Sequence, residues 1–182
     1  MRAMPVTPRT TSWTVDDLSG LPDDGLQYEL ADGVLLVTPS PWPLHQRISA
    51  RLGALLMAAC PDDLEVFHAP LDFQPSRTTS LQPDLLVVRR SDVGEESLLG
   101  TPLLVVEILS PSTRAKDLIL KKALYAESGV PSYWVLDPSE PSLAVLSLEA
   151  DGYVAAGRVV GEESLLTSNP ISITVRPADL VR

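Results

Sequence analysis

Apolar and polar positions along the chain change period several times, and each change marks an element. Leu44, Ile48, Leu52, Leu55 and Ala59 recur at helical spacing, with Gln46, Arg47 and Arg51 on other faces, so residues 44–59 are predicted to form an amphipathic helix. Continuous apolar runs at 84–88 and 103–109 predict strands buried on both faces. Residues 64–73, 133–136, 143–148, 153–160 and 171–175 predict further strands. Residues 28–37 read as two short strands around the Asp32-Gly33 turn. Thr14, followed by Asp16 and Asp17, is placed as the N-cap of a short helix. A second long helix is expected over 116–128, capped by Gly129 with Pro131 close behind. No linker-like shift interrupts these segments. The expectation is one domain over residues 1–182, of α+β class, with a central mixed sheet flanked by helices.

Composition changes this picture in a few places. The 17 prolines lie mostly between apolar runs, as in Pro39-Ser40-Pro41-Trp42-Pro43, and read as punctuation rather than as a disordered tract. Cys60 is the one cysteine; it is expected to be a small core residue, and the lack of both a disulfide partner and a signal-peptide pattern points to a reducing, cytoplasmic home. No apolar run reaches membrane-spanning length, so no membrane partner is expected. The net charge of −10 argues against nucleic acid as a partner, because phosphate binding normally relies on clustered Lys and Arg. Charge acts locally, however, and Arg114, Lys116, Lys121 and Lys122 could form a basic patch, whereas Arg89-Arg90 read as solvated surface. Two histidines and one cysteine without ligand spacing make a zinc site a poor reading. His45 is either a contact at a site edge or a helix-terminal residue, and His68 is read as structural. Tyr133 and Trp134 fit a core strand. No glycine-rich phosphate loop is present.

The candidate chemistry begins with carboxylates. Glu107 sits inside an apolar strand, where an ionised carboxylate is costly unless something pairs with it. Asp84 heads a similar run. If 84–88 and 103–107 pair antiparallel, Val88 faces Leu103 and Asp84 faces Glu107, with Cβ atoms roughly 5 Å apart. Two carboxylates that close repel and call for a compensating cation, for which Mg²⁺ or Mn²⁺ with hard oxygen ligands is one answer. In the alternative, the pairing differs and each acid is a solvated or salt-bridged strand end. A lysine on the following helix, Lys121 or Lys122, would lie roughly 7 Å along the axis from residue 116, within reach of the acids. Apolar residues nearly surround this helix, so periodicity does not choose between the two lysines, and both could snorkel to solvent. Ser112 or Thr113 would cap it.

Gln82-Pro83-Asp84, then Glu107 23 residues later, then a lysine, resembles the PD-(D/E)XK nuclease superfamily. The string Val105-Val106-Glu107-Ile108-Leu109-Ser110-Pro111-Ser112-Thr113 is followed by Asp117, Lys121, Tyr125, Gly129-Val130-Pro131 and Tyr133-Trp134-Val135-Leu136-Asp137-Pro138. Together they are similar to the Uma family of putative restriction endonucleases, bacterial proteins long described only as a domain of unknown function. Tyr28-Glu29-Leu30-Ala31-Asp32-Gly33 and the segment from Ser40 to His45 match it too. The resemblance implies a restriction-endonuclease-like core and endonuclease activity on phosphodiester bonds in DNA, with RNA as a further substrate. It implies Asp84 and Glu107 as ligands of Mg²⁺ or Mn²⁺, joined by the Ile108 carbonyl. Lys121 would be the catalytic lysine, and Glu29 the N-terminal acid that binds a second metal or positions a water. A homodimer or higher homo-oligomer would suit cleavage of both strands. The superfamily's usual lysine stands two residues after the acid, where this chain has Leu109, so the lysine has migrated to the helix or is absent. Val34 and Ser132 stand where relatives carry acids. Two rivals follow: a catalytically inactive binding or scaffold protein of the same fold, and a metal-dependent hydrolase of a small phosphate ester.

Overall fold

The computed structural model describes residues 12–95, 97–111 and 113–182. In chain order, α1 (Val15–Leu18) precedes β1 (Gln27–Ala31), β2 (Val34–Thr38), α2 (Pro43–Ala58), β3 (Leu64–His68), β4 (Phe73–Ser76), β5 (Thr79–Leu81) and β6 (Leu85–Arg89). A 3₁₀ turn (Arg90–Asp92) leads to β7 (Leu104–Ile108). A π-helical segment (Lys116–Lys121) then runs into α3 (Lys122–Glu127). The chain finishes with β8 (Ser132–Asp137), β9 (Ser142–Glu149), β10 (Gly152–Val160), β11 (Leu165–Thr167), β12 (Ile173–Val175) and α4 (Pro177–Val181).

A six-stranded sheet runs in the order β10-β9-β8-β7-β6-β3. It is mixed: β7 and β8 are parallel, and the other pairs are antiparallel. A parallel pair needs a crossover, and the π segment with α3 supplies it. A second sheet, β2-β1-β5-β4, is antiparallel, and β11 pairs with β12 in a small third one. This is the α+β architecture with a central mixed sheet flanked by helices that the sequence predicts.

Alternation sorts the central strands onto two faces. Leu85, Val87, Leu104, Val106, Ile108, Trp134 and Leu136 pack with Ile48, Leu52 and Leu56 of α2 and Leu180 of α4. Leu86, Val88, Val105, Leu109, Tyr133 and Val135 pack with Leu124 and Tyr125 of α3. Asp84 and Glu107 share parity with the second set, so they belong to the face under the crossover helix. Tyr133 and Trp134 are fully buried, as a core strand requires. The β1–β2 hairpin closes through Asp32 (φ 48°) and Gly33 (φ 78°), the paired positive φ values of a type I′ turn. Gly129 (φ 75°) ends the crossover helix in the left-handed conformation. Cys60 is half-buried against the first core set. Arg89 and Arg90 are exposed. Among the described residues no helix is long and apolar enough to cross a membrane.

Several boundaries differ from the sequence reading. The strand expected over 64–73 stops at His68 and resumes at Phe73 as β4 in the other sheet, with Pro70, which has no N–H to give a ladder, in the gap. α2 buries Ile48, Ser49, Leu52, Gly53 and Leu56, while Leu44, Leu55 and Ala59 are exposed, so the apolar stripe is narrower and turned towards Leu56. The helix predicted over 116–128 begins as π rather than α. β5, β11 and α4 were not predicted, being too short to show a period. Leu52→Ala is expected to lower the unfolding free energy by about 2–5 kcal/mol, whereas Leu55→Ala changes it by about 0.5 kcal/mol or less. Urea denaturation of both variants checks the observed stripe.

Candidate functional site

The β6–β7 register pairs Leu85 with Val106, Leu86 with Val105 and Val87 with Leu104. Extended by one residue, it sets Asp84 opposite Glu107, the juxtaposition expected from the sequence. Asp84 is tied to the next strand residue as well, since its Oδ2 accepts the Ile108 N–H at 2.7 Å. His45, in the first turn of α2, places Nε2 3.1 Å from the same oxygen. An acceptor carboxylate there requires a proton on Nε2, and the other ring nitrogen, Nδ1, is buried without a hydrogen-bond partner among the described residues. Of the two readings for His45, the structure brings it to the site.

Lys121, not Lys122, reaches the acids. Its Nζ lies 2.8 Å from Glu29 Oε1, 3.0 Å from Glu107 Oε1 and 3.8 Å from Asp117 Oδ1. The side chain is buried, which removes the snorkelling alternative. Glu29 comes from β1 in the other sheet, and its Oε1 also accepts the Gln82 N–H at 2.8 Å. One carboxylate thereby fastens the lysine and the chain leading into Asp84. Tyr125, one helical turn beyond Lys121, donates its hydroxyl to Glu107 Oε1 at 2.6 Å. Tyr133 donates to the Asp117 carbonyl at 2.8 Å, and its ring centroid lies 5.4 Å from that of Tyr125. Thr113 bonds the Ser110 hydroxyl in the turn ahead of the helix; Ser112, the other capping candidate, lies outside the described residues.

Burial dominates the electrostatics. It pushes the Glu107 carboxyl well above the ordinary range, with Lys121 opposing and Asp84, Asp117 and Glu29 adding to the rise. Burial raises Asp117 in the same way, again against Lys121. For Lys121 burial favours the neutral amine, yet Glu107, Glu29 and Asp117 outweigh it and hold the pKa above that of a free lysine. Burial beside Glu107 keeps Tyr125 a neutral phenol. The ammonium is therefore charged at any physiological pH, and one cation faces an excess of acids.

Two opposed carboxylates call for a compensating cation, and a metal ion is one answer. Lys121 already supplies a compensating cation, so proximity alone does not demand one. The donor set still suits a hard cation. Among the described residues, the hydrogen bonds to Asp84 fall on Oδ2 and those to Glu107 on Oε1, which leaves the second oxygen of each carboxylate without a protein donor there. The Ile108 carbonyl leaves the strand on the same edge as its N–H, the edge at which Asp84 sits. Asp117 Oδ1 is buried without a hydrogen-bond donor. Among the described residues no three His, Cys, Asp or Glu groups are gathered into a ready cage. Two carboxylates, a carbonyl and retained waters fit Mg²⁺, which rarely uses an all-protein cage.

These groups open onto a cleft of about 770 Å³ lined by Glu29, Asp84, Glu107, Ile108, Asp117 and Lys121 at one side and by the Pro39–Leu44 approach to α2 at another. His68 stands apart, bonded through Nδ1 to Ser49, as a structural residue would be. Sequence reasoning did not assign roles to Asp117, Tyr125 or Trp42. The spacing of Asp117, Lys121 and Tyr125, four residues each time, was the available signal.

A family model described as Uma2, "Putative restriction endonuclease", matches residues 15–176. No curated protein matches the chain. Among solved structures, a putative nuclease belonging to DUF820 from Anabaena variabilis ATCC 29413 superposes with a TM-score of 0.72 at 20% identity, covering 92% of this chain and 97% of that chain. That likeness shows the fold, a restriction-endonuclease-like α+β core.

Lys121→Met should lower the unfolding free energy at pH 8 by about 3–5 kcal/mol, because buried acids lose their counter-charge. Without the ammonium, Glu107 and Asp117 rise further above their unfolded values. Groups raised in this way stabilise below their unfolded pKa and lose that contribution as pH climbs through the folded one. The penalty should therefore shrink towards pH 5. Urea titrations at the two pH values check this, with Lys122→Met expected to stay within about 0.5 kcal/mol of the wild type.

Proposed function

We propose, because the chain belongs to the Uma2 family, that it is a divalent-metal-dependent endonuclease hydrolysing phosphodiester bonds in DNA. The observation that carries this reading is the opposition of Asp84 and Glu107 beneath a charged, buried Lys121 at the wall of an open cleft. Asp84, Glu107 and the Ile108 carbonyl would hold Mg²⁺ or Mn²⁺. When bound, the ion supplies a Lewis acid for the scissile phosphate and lowers the pKa of a coordinated water.

The chain's own groups do the rest. Lys121 presents a permanent positive charge beside the carboxylates, where it orients the attacking water and stabilises charge growing on the phosphate oxygens. Glu29 fixes the ammonium and, through the Gln82 N–H, the approach to Asp84. Tyr125 holds Glu107 Oε1 and so leaves its other oxygen for the ion. His45 and the Ile108 N–H hold Asp84 Oδ2 in the same manner.

The test is metal-dependent cleavage of circular single-stranded and supercoiled DNA by the purified chain, with Mn²⁺ binding followed separately by calorimetry. Asp84→Ala is expected to abolish metal binding and cleavage together. Lys121→Ala is expected to keep metal binding and lose about 10²–10³-fold in rate. An Asp84→Ala protein that binds metal and cuts like the wild type would sink the assignment. A wild type that binds no metal and cuts nothing would favour the inactive scaffold.

A further inference from the structure

Trp42 lines the same cleft and is 73% exposed. An indole this open has no packing role to explain it. Its backbone is not free: Pro41 and Pro43 flank it, it sits extended (φ −74°, ψ 159°) as a residue before proline must, and its carbonyl accepts the Gln46 N–H. Ser40 donates to the Gly25 carbonyl at 2.7 Å and anchors the approach. The ring is thus mounted on a rigid stretch of chain. His45, three residues on, touches Asp84 and lines the same cleft. Trp42, Asp84 and Glu107 line one cleft.

Charge narrows what the ring could meet. Among the described residues, the Lys and Arg side chains lining the cleft are Arg114 and Lys121. Arg114 is paired with Asp137, and Lys121 with Glu29 and Glu107. Lys116, nearby, donates to the Thr38 hydroxyl at 2.6 Å. The whole chain carries −10. A duplex, which binds largely by having many phosphates neutralised, finds little here. Stacking of a base on an aromatic ring needs no cation, but it needs a base face that is not already stacked in a helix.

We propose that Trp42 is a stacking platform for a nucleobase next to the scissile phosphate, and that the substrate is an unpaired nucleic-acid strand. This rests on the nuclease reading for its position but not for its test. Binding is measured without metal, in EDTA, using the full chain and fluorescein-labelled oligothymidylate, oligouridylate and a duplex of equal length.

The single strands should bind at least about tenfold more tightly than the duplex. Trp42→Ala should weaken single-strand binding by about tenfold to a hundredfold while Trp42→Phe retains most of it, as for loss of one stacked base. An abasic nucleotide at the stacked position should cost the wild type as much and cost Trp42→Ala nothing more. Weak dependence on salt, equivalent to one or two phosphate contacts, should accompany this. Comparing the thymidine and uridine strands shows whether DNA or RNA is preferred. With metal present, Trp42→Ala should raise KM and leave kcat nearly unchanged. Unaltered binding by Trp42→Ala, or tighter binding of the duplex, would overturn the platform. Intact stacking with no cleavage would instead overturn the nuclease reading and leave the platform standing.

Discussion

A single ammonium, enclosed by carboxylates from different parts of the chain, holds the centre of this molecule together. Glu29 arrives from the N-terminal sheet, Glu107 from the middle of the main sheet and Asp117 from the crossover. None could be buried and ionised alone, since each would lose its hydration without return. Around Lys121 the losses are shared, but the acids outnumber the cation. That excess of acids keeps the lysine protonated.

The crossover explains how the lysine comes to be there. Position 109 lies two residues after Glu107, on the same side of the strand's run. Here that position is a leucine buried with Val105, Tyr125 and Tyr133. The parallel β7–β8 pair obliges the chain to return over that very face, and the returning helix delivers Lys121 to the space above Glu107. The lysine's place in space is set by the topology.

How much of this could be read beforehand varied with the kind of signal. The opposition of Asp84 and Glu107 was legible because two apolar runs of equal length admit few registers, and the observed pairing of Leu85 with Val106 agrees with it. The mixed sheet was legible for the same reason. The choice of Lys121 over Lys122 was not, because apolar residues surround that helix and its first turns wind as π, where α spacing misleads. Leu55 and Leu56 differ by one position on a helix, too little for a pattern of five residues to separate. The Glu29–Gln82 contact joins residues with no local relation, and only the folded chain reveals it.

That contact has a consequence for how the site comes into being. Glu29 is contributed by the sheet made first in the chain, and Lys121 by a segment made much later. A chain whose two sheets have not yet docked holds Lys121 short of one counter-ion and the approach to Asp84 untethered. Such a chain would carry every group of the cluster and still lack their arrangement. The cluster thus acts as a closing clasp: its contacts are complete only when the distant parts of the polypeptide have found each other.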